Sequence, residues 1–211
     1  MSELPKGALR RLDETPDELF YRQPRFVTHI DDAAIAAVTG LYREYLPPGG
    51  AILDLMSSWV SHLPPEVEYR RVVGLGLNGE ELAGNPRLSG YVVQNLNRDP
   101  HLPFGDGEFD GAGITVSVDY LTRPVEVLRD LGRVLTPGGP VVITFSNRCF
   151  PTKAVMIWHR LDDAGRLDLV AGYLREAGNW EEITRHDRSP RGRGHDPLFA
   201  VTARASRAQA S

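Results

Sequence analysis

The sequence predicts an α/β protein with a seven-stranded, mainly parallel sheet that ends in an antiparallel hairpin and carries helices on both faces. Three observations support this prediction. Five short apolar runs alternate with polar or helical stretches, which is typical of parallel strands buried on both faces. An amphipathic helix is expected between the fourth and fifth runs. The last two strand-like segments are joined by a short polar loop, which permits only antiparallel pairing.

The first part of the chain is expected to be an arm followed by one helix. Residues 1–24 are polar and broken by prolines, so they predict an N-terminal arm with a short helix at PDELFYR. In THIDDAAIAAVTGLYREYLPPGG, apolar residues recur at helical spacing, and Asp31 and Asp32 fall in the first turn. The sequence PPGG then ends this helix.

The five apolar runs define the expected parallel strands. In chain order they are AILDLM, RRVVGLGL, GYVVQNL, FDGAGITVSV and GPVVITFS. Pro64 and Pro65 leave the helix after the first run little more than one turn. Between the fourth and fifth runs, Val125, Leu128 and Leu131 form an apolar helical stripe, and the glycines of TPGG end that helix.

The last third of the chain predicts helices and then the hairpin. PTKAVMIWHRLDDAGRLDLVAGYLREAG favours one or two helices, whereas NWEEITRHDR and DPLFAVTARA favour strands joined by SPRGRGH. Residues 25–205 are therefore expected to form a single domain, and residues 206–211 a flexible tail.

Composition and charge argue against several classes of protein. The 211 residues suit one domain, and the single cysteine, Cys149, excludes an internal disulfide and a cysteine-based zinc site. A formal net charge of −4 gives no basis for binding nucleic acid or an anionic membrane surface. No apolar run approaches the roughly 20 residues of a membrane span, and the N-terminus lacks a signal-peptide apolar segment. We therefore expect a soluble, cytoplasmic protein without a bound metal.

One long run carries a family pattern. In LPFGDGEFDGAGITVSVDYLTRPVEVLRDLGRVLTPGGPVVITFSN, an LPF…FD lead precedes the fourth strand, and a helix ending in RVL-x-PGG precedes the fifth. On these residues the chain resembles the class I S-adenosylmethionine-dependent methyltransferases of type 11, over about residues 25–205. The resemblance implies a Rossmann-like fold, S-adenosylmethionine as cofactor, and methyl transfer to a small-molecule substrate. The sequence shows no added domain for recognising nucleic acid, so we do not expect a nucleic-acid substrate. The resemblance does not determine the oligomeric state.

The cofactor loop of this sequence departs from the family pattern. After the first strand, the family has Asp/Glu-x-Gly-x-Gly-x-Gly, and here the sequence is DLMSSWVS. Asp54 matches the acidic position, whereas Met56, Ser58 and Val60 replace the glycines, which normally let the backbone approach the ligand. The family also ends its second strand with an acid that binds the ribose, and Gly76 stands at that position.

The resemblance implies that the cofactor is bound at the ends of the first four strands. Asn78, two residues beyond Gly76, is a weaker partner for the ribose, and Asn95 stands where the family often has an aspartate against adenine. Trp59 either stacks on the sulfonium or adenine or fills the core beneath the short helix. The implied cofactor contacts are Asp54, Met56, Ser57, Ser58, Trp59, Leu77, Asn78, Asn95, Leu96, Asn97, Thr115 and Ser117.

Candidates for catalysis and substrate binding follow from the same resemblance. The catalytic candidates are His62, Asp119 and Tyr120. The substrate-binding candidates are Tyr21, Arg25 and His29, in the arm and the segment that directly follows it. His29 is also a candidate base. Each has a plainer interpretation. Asp119 suits the N-cap of the next helix, His62 a half-exposed helix end, and the arm a surface segment packed on the sheet.

Two other functions remain open at the level of sequence. The missing glycines and ribose acid suit a protein that keeps this fold, has lost methyl transfer, and acts in binding or interaction. A nicotinamide oxidoreductase is disfavoured, because its glycine fingerprint and its acid after the second strand are absent as well.

Overall fold

The computed structural model describes residues 4–206, so the predicted tail lies outside the described residues apart from Ser206. Seven strands form one sheet in the order β3-β2-β1-β4-β5-β7-β6. The strands are β1 (Ala51–Leu55), β2 (Arg71–Gly76), β3 (Gly90–Val93), β4 (Gly111–Thr115), β5 (Pro140–Phe145), β6 (Trp180–Asp187) and β7 (Phe199–Ala205). Strands β1 to β5 pair in parallel, and β7 pairs antiparallel with both β5 and β6. The predicted sheet and its final hairpin are confirmed.

Five α-helices accompany the sheet in the described part of the chain. They are α1 (Asp17–Phe20), α2 (Asp32–Tyr45), α3 (Gly79–Ala83), α4 (Pro124–Val134) and α5 (Asp163–Ala177). Asp31 caps α2 by accepting a hydrogen bond from the Ala34 amide at 2.8 Å. The N-cap of α4 is Arg123, and Asp119 lies earlier, in a 3₁₀ turn, so the N-cap interpretation of Asp119 is wrong.

Alternate residues of the strands face opposite layers of helix. Ile52 packs with Val38, Leu41 and Tyr42 of α2 on one face of the sheet. Its neighbour Leu53 belongs to the larger core on the other face, which also holds the apolar residues of α4 and α5. Both faces of the sheet are thus buried, and the polar residues that follow the strands are gathered at their ends. Among residues 4–206, no helix is long and apolar enough to span a membrane.

The segment between β1 and β2 contains no helix, so the prediction of a short helix there is wrong. Pro64 and Pro65 are unfavourable inside a helix. The chain also bonds back to the sheet as soon as β1 ends, because the Ser57 amide donates to the carbonyl of Leu75 at 2.8 Å. This contact, which joins residues distant in sequence, places the loop after β1 across the end of β2.

The N-terminal arm is fixed to the domain by buried charges. The side chain of Lys153 is fully buried, and its ammonium group donates to the Thr15 carbonyl at 2.7 Å. It also lies 3.3 Å from the Asp17 carboxylate, which Arg11 contacts at 2.6 Å. Removing any one of these charges would leave the others buried and poorly paired, so the arm is held where it lies.

Candidate functional site

A cavity lies at the carboxyl ends of the parallel strands, beneath the arm. It contains about 940 Å³ of space, including volume that is open to solvent. We call it the central cavity. Its walls come from the arm and from the segments that follow β1, β2, β3, β4 and β5. The predicted residues that line it are Tyr21, Arg25, His29, Met56, Ser57, Ser58, Leu77, Asn78, Asn95, Leu96, Asn97, Thr115, Ser117 and Tyr120.

Asp54 organises the loop after β1 rather than lining the central cavity. Its carboxylate accepts hydrogen bonds from the hydroxyl of Ser57, at 2.6 Å, and from the hydroxyl of Ser61. Burial raises the pKa of Asp54 to about 6, although the two serine hydrogen bonds act in the opposite direction. Met56 has a positive φ of 58°, a conformation that normally favours glycine. The loop therefore makes the sharp turn without its family glycines.

Gly76 is coupled to the course of this loop. A Cβ atom on Gly76 would meet the carbonyl oxygen of Ser57 at well under the 3.0 Å that real Cβ atoms respect. It would also lie 3.3 Å from a methyl group of Leu82. The two departures from the family pattern are thus one structural feature, because the glycine-poor loop occupies the space that a side chain at position 76 would need.

An acid does approach the end of β2, but it comes from α3. The carboxylate of Glu81 lines the central cavity and accepts from the Ser58 hydroxyl at 2.5 Å and from the Arg25 amide at 2.7 Å. The Asn78 side chain caps α3 and donates to the Tyr21 carbonyl at 2.9 Å. Asn78 is therefore occupied by the helix and the arm, whereas Glu81 keeps further acceptor capacity.

The amides that follow β3 bind the arm. Asn95 donates to the Glu18 carboxylate at 2.9 Å. Asn97 donates to the Asp17 carboxylate and to the Tyr120 carbonyl, both at 3.0 Å. These hydrogen bonds connect the arm, the segment after β3 and the segment after β4, all of which line the central cavity.

The ends of β4 and β5 form the opposite end of the central cavity. The hydroxyl of Ser117 is buried there and has no hydrogen-bond partner in the part of the chain that the structure describes. The hydroxyl of Tyr120 accepts from the Phe150 amide at 2.8 Å, and burial raises the pKa of Tyr120 above its usual value. The Phe150 ring packs edge-on against His29, with 5.2 Å between ring centroids. A smaller polar recess adjoins this end, lined by His29, Val116, Tyr120, Asn147, Arg148, Cys149 and Phe150.

Four predicted site residues lie outside the central cavity: Asp54, Trp59, His62 and Asp119. The indole of Trp59 donates to the Val27 carbonyl at 3.0 Å, so it holds the arm from outside. Burial lowers the pKa of His62 and raises that of Asp119 to about 7. One carboxylate oxygen of Asp119 is buried and finds no hydrogen-bond partner among the described residues.

Sequence reasoning missed several residues that line the central cavity. Glu81 and Phe150 are the most informative, and Arg11, Asp17 and Gln94 accompany them. A signal for Glu81 was available in the sequence. It is an acid five residues beyond Gly76, where the family has its ribose-binding acid, and it lies on the short helix that Asn78 caps. Phe150 follows β5 in a segment without a recognisable motif. Among residues 4–206, no three histidine, cysteine, aspartate or glutamate side chains are grouped to hold a metal ion.

Comparisons with known proteins agree with this architecture. The family model described as "Methyltransferase domain", of type 11, matches residues 59–143. Among solved structures, the [4+2]-cyclase SpnF matches with a TM-score of 0.63 and 17% identity, over 90% of this chain and 91% of that chain. An S-adenosylmethionine-dependent methyltransferase from Mesorhizobium loti matches with a TM-score of 0.56 and 18% identity, over 80% of this chain and 97% of that chain.

A third structure, phosphoethanolamine N-methyltransferase 2 of Haemonchus contortus in complex with S-adenosyl-L-methionine, has a TM-score of 0.59 and 14% identity. The match covers 82% of this chain and 52% of that chain. At these identities the structural matches show the fold, which is the predicted Rossmann-like methyltransferase fold. No curated protein sequence matches the chain.

Proposed function

We propose that the chain is a class I S-adenosylmethionine-dependent methyltransferase, which binds S-adenosylmethionine in the central cavity and methylates a small molecule. The observation that carries the proposal is the position of the central cavity at the carboxyl ends of the parallel strands, where α/β sheets of this type bind ligands. When bound, S-adenosylmethionine supplies a methyl group on a positively charged sulfur.

The residues present fit such a ligand. Among residues 4–206, the buried hydroxyl of Ser117 has no hydrogen-bond partner, and a ligand would supply one. The Glu81 carboxylate is suited to accept hydrogen bonds from ribose hydroxyls, in place of the acid that β2 lacks. We infer that Glu81, Asn95 and the loop from Met56 to Ser58 hold the cofactor.

The arm and the segment after it support a small acceptor. Tyr21 and Arg25 cover part of the central cavity and would limit the access of water, whereas the His29 side chain is exposed. Methyl transfer mainly requires that the reacting atoms be aligned, and rigid walls favour this. A cavity covered in this way leaves little room for a macromolecular substrate.

His29 is the best placed of the candidate bases. It lines the central cavity, whereas His62 and Asp119 do not. Partial burial lowers the pKa of His29, so its imidazole is neutral at pH 7 and able to accept a proton from an acceptor hydroxyl or amine. Tyr120 also lines the cavity, but its raised pKa makes it a poor base, and it is better suited to position the acceptor.

Calorimetric titration with S-adenosylmethionine and S-adenosylhomocysteine tests the proposal. Leu77 is half-buried and lines the central cavity, so Leu77→Trp should fill space and weaken binding of both ligands at least about tenfold. The control is Tyr91→Trp, because Tyr91 is 47% exposed on β3 and lies outside the cavity. No binding of either ligand by the wild-type protein near 1 mM would refute the proposal.

A second measurement separates methyl transfer from binding alone. Purified protein is incubated with methyl-labelled S-adenosylmethionine and a panel of small carboxylic acids, phenols and amines. Label transferred to an acceptor supports the enzyme. Tight binding of both ligands with no transfer to any acceptor would instead support the predicted alternative, a protein of this fold that has lost methyl transfer.

A further inference from the structure

We propose that Arg25 receives a carboxylate of the acceptor, so that the substrate is a small carboxylic acid with an apolar body. This inference rests on the proposed function, because it assigns the substrate class of the same cavity. It starts from the hydrogen bonds of one guanidinium group and from the rings that surround it.

Arg25 has a charge without a partner. Among residues 4–206, its guanidinium makes no ion pair, and its Nη1 atom is buried with no hydrogen-bond acceptor. Its Nη2 atom donates to the Phe20 carbonyl at 2.9 Å. Arg11, which also lines the cavity, differs because it contacts the Asp17 carboxylate at 2.6 Å. A buried donor without an acceptor is unfavourable, so an incoming acceptor group would be stabilised at Arg25.

Aromatic rings fix the guanidinium in place. Its central carbon lies 4.8 Å from the ring centroid of Phe20, 5.3 Å from that of Phe150 and 5.7 Å from that of Tyr21. The rings stabilise the cation through their faces, but they offer no hydrogen-bond acceptor to its N–H groups. A planar carboxylate matches the two-pronged donor edge of an arginine better than a point-like charge does.

The position of Arg25 assigns the carboxylate to the acceptor rather than to the cofactor. The Arg25 side chain contacts Phe150, which follows β5, and Phe150 in turn packs against His29, the proposed base, and Tyr120. The proposed ribose partner Glu81 follows β2, on the other side of β1 in the sheet. The main chain of Arg25 adjoins the proposed ribose site, because its amide donates to Glu81 at 2.7 Å, but its guanidinium lies near Phe150, which packs against the proposed base. Its positive charge there would also disfavour cationic acceptors.

Three matched probes test the assignment: 3-phenylpropionate, 3-phenylpropionamide and 3-phenylpropylamine. They share one body and differ in charge, and binding is measured by ligand-observed NMR titration of the full chain with and without S-adenosylhomocysteine. We expect the carboxylate to bind the wild-type protein most tightly. Arg25→Gln should weaken binding of the carboxylate at least about tenfold and leave that of the amide unchanged.

Two variants control for folding and for general charge. Arg25→Lys keeps the charge without the planar fork, so it should recover part of the carboxylate affinity. Arg22→Gln removes a positive charge from an exposed arm residue outside the cavity, and it should change nothing. Equal wild-type affinity for the three probes, or equal losses in Arg22→Gln and Arg25→Gln, would overturn the proposal.

The remaining alternative is that Arg25 binds the carboxylate of the cofactor. S-adenosylhomocysteine and 5′-methylthioadenosine distinguish it, because only the first carries a carboxylate. If Arg25→Gln weakens binding of S-adenosylhomocysteine alone, the acceptor assignment is wrong. We expect the carboxylate probe to bind without cofactor as well, so this test and the cofactor titration of the wild-type protein can fail independently.

Discussion

Adding one methyl group at Gly76 tests whether the loop after β1 occupies the place of the missing acid. In Gly76→Ala, the new Cβ atom overlaps the Ser57 carbonyl oxygen. That carbonyl cannot easily turn away, because the Ser57 amide donates to Leu75 at 2.8 Å and the Ser57 hydroxyl donates to Asp54 at 2.6 Å. The end of β2 or the whole loop must therefore move.

The expected loss follows from this overlap. Overpacking of a well-ordered interior typically costs about 1–3 kcal/mol. For a chain of this size, each kcal/mol lowers the melting temperature by roughly 2–4 °C. Gly76→Ala should therefore melt about 2–12 °C below the wild-type protein, and Gly76→Asp should melt lower still because it adds a charge at a buried position.

Gly90→Ala is the matched control. Gly90 also lies in a strand at the same side of the sheet, yet a Cβ atom there meets nothing within 4 Å. It should leave stability unchanged or raise it by up to about 1 kcal/mol, since alanine restricts the unfolded chain. Urea and thermal denaturation measure both variants. If Gly76→Ala and Gly90→Ala are equally stable, the loop does not occupy this space as described.

Three further predictions concern stability. Burial raises the pKa of the Asp119 carboxyl from its ordinary 3.8 to about 7 in the folded chain, so the free energy of unfolding should fall as the pH rises from about 4 to 7. Asp119→Asn should reduce that slope in denaturation curves. Lys153→Met removes a buried cation, so the free energy of unfolding should fall by about 3 kcal/mol or more. Trypsin should also cleave the variant faster at Arg22, and an unchanged cleavage rate would contradict this prediction. Trp59→Phe loses the hydrogen bond to Val27, so unfolding free energy should drop by about 0.5–1.5 kcal/mol, with cofactor affinity retained.

The sheet could be predicted from the sequence because its signals are local. Apolar runs such as AILDLM, the stripe of α4 and the short connection before β7 each fix an element within a few residues. Their order then follows from general rules of α/β topology. The family resemblance implied a site at the carboxyl ends of the strands, and the central cavity lies there.

The details of the site depend on contacts between distant residues, and these could not be predicted. Nothing near Ser57 in the sequence indicates that its amide bonds to Leu75, yet this bond replaces the expected helix and explains Gly76. The place of Glu81 in the site likewise depends on its contacts with the Ser58 hydroxyl and the Arg25 amide, which are distant in sequence. The position of Trp59 depends on where the arm passes, which its own neighbours do not determine.

The attachment of the arm to the domain also bears on how fast a ligand enters and leaves the central cavity, apart from its affinity. Lys153, Asn97 and Glu81 fasten the arm at three places around the central cavity. A ligand bound in the central cavity would therefore be retained partly by contacts that it does not itself make. Weakening one attachment would be expected to speed both the entry and the exit of such a ligand. If the proposed methyl transfer takes place there, release of the product would require the arm to lift.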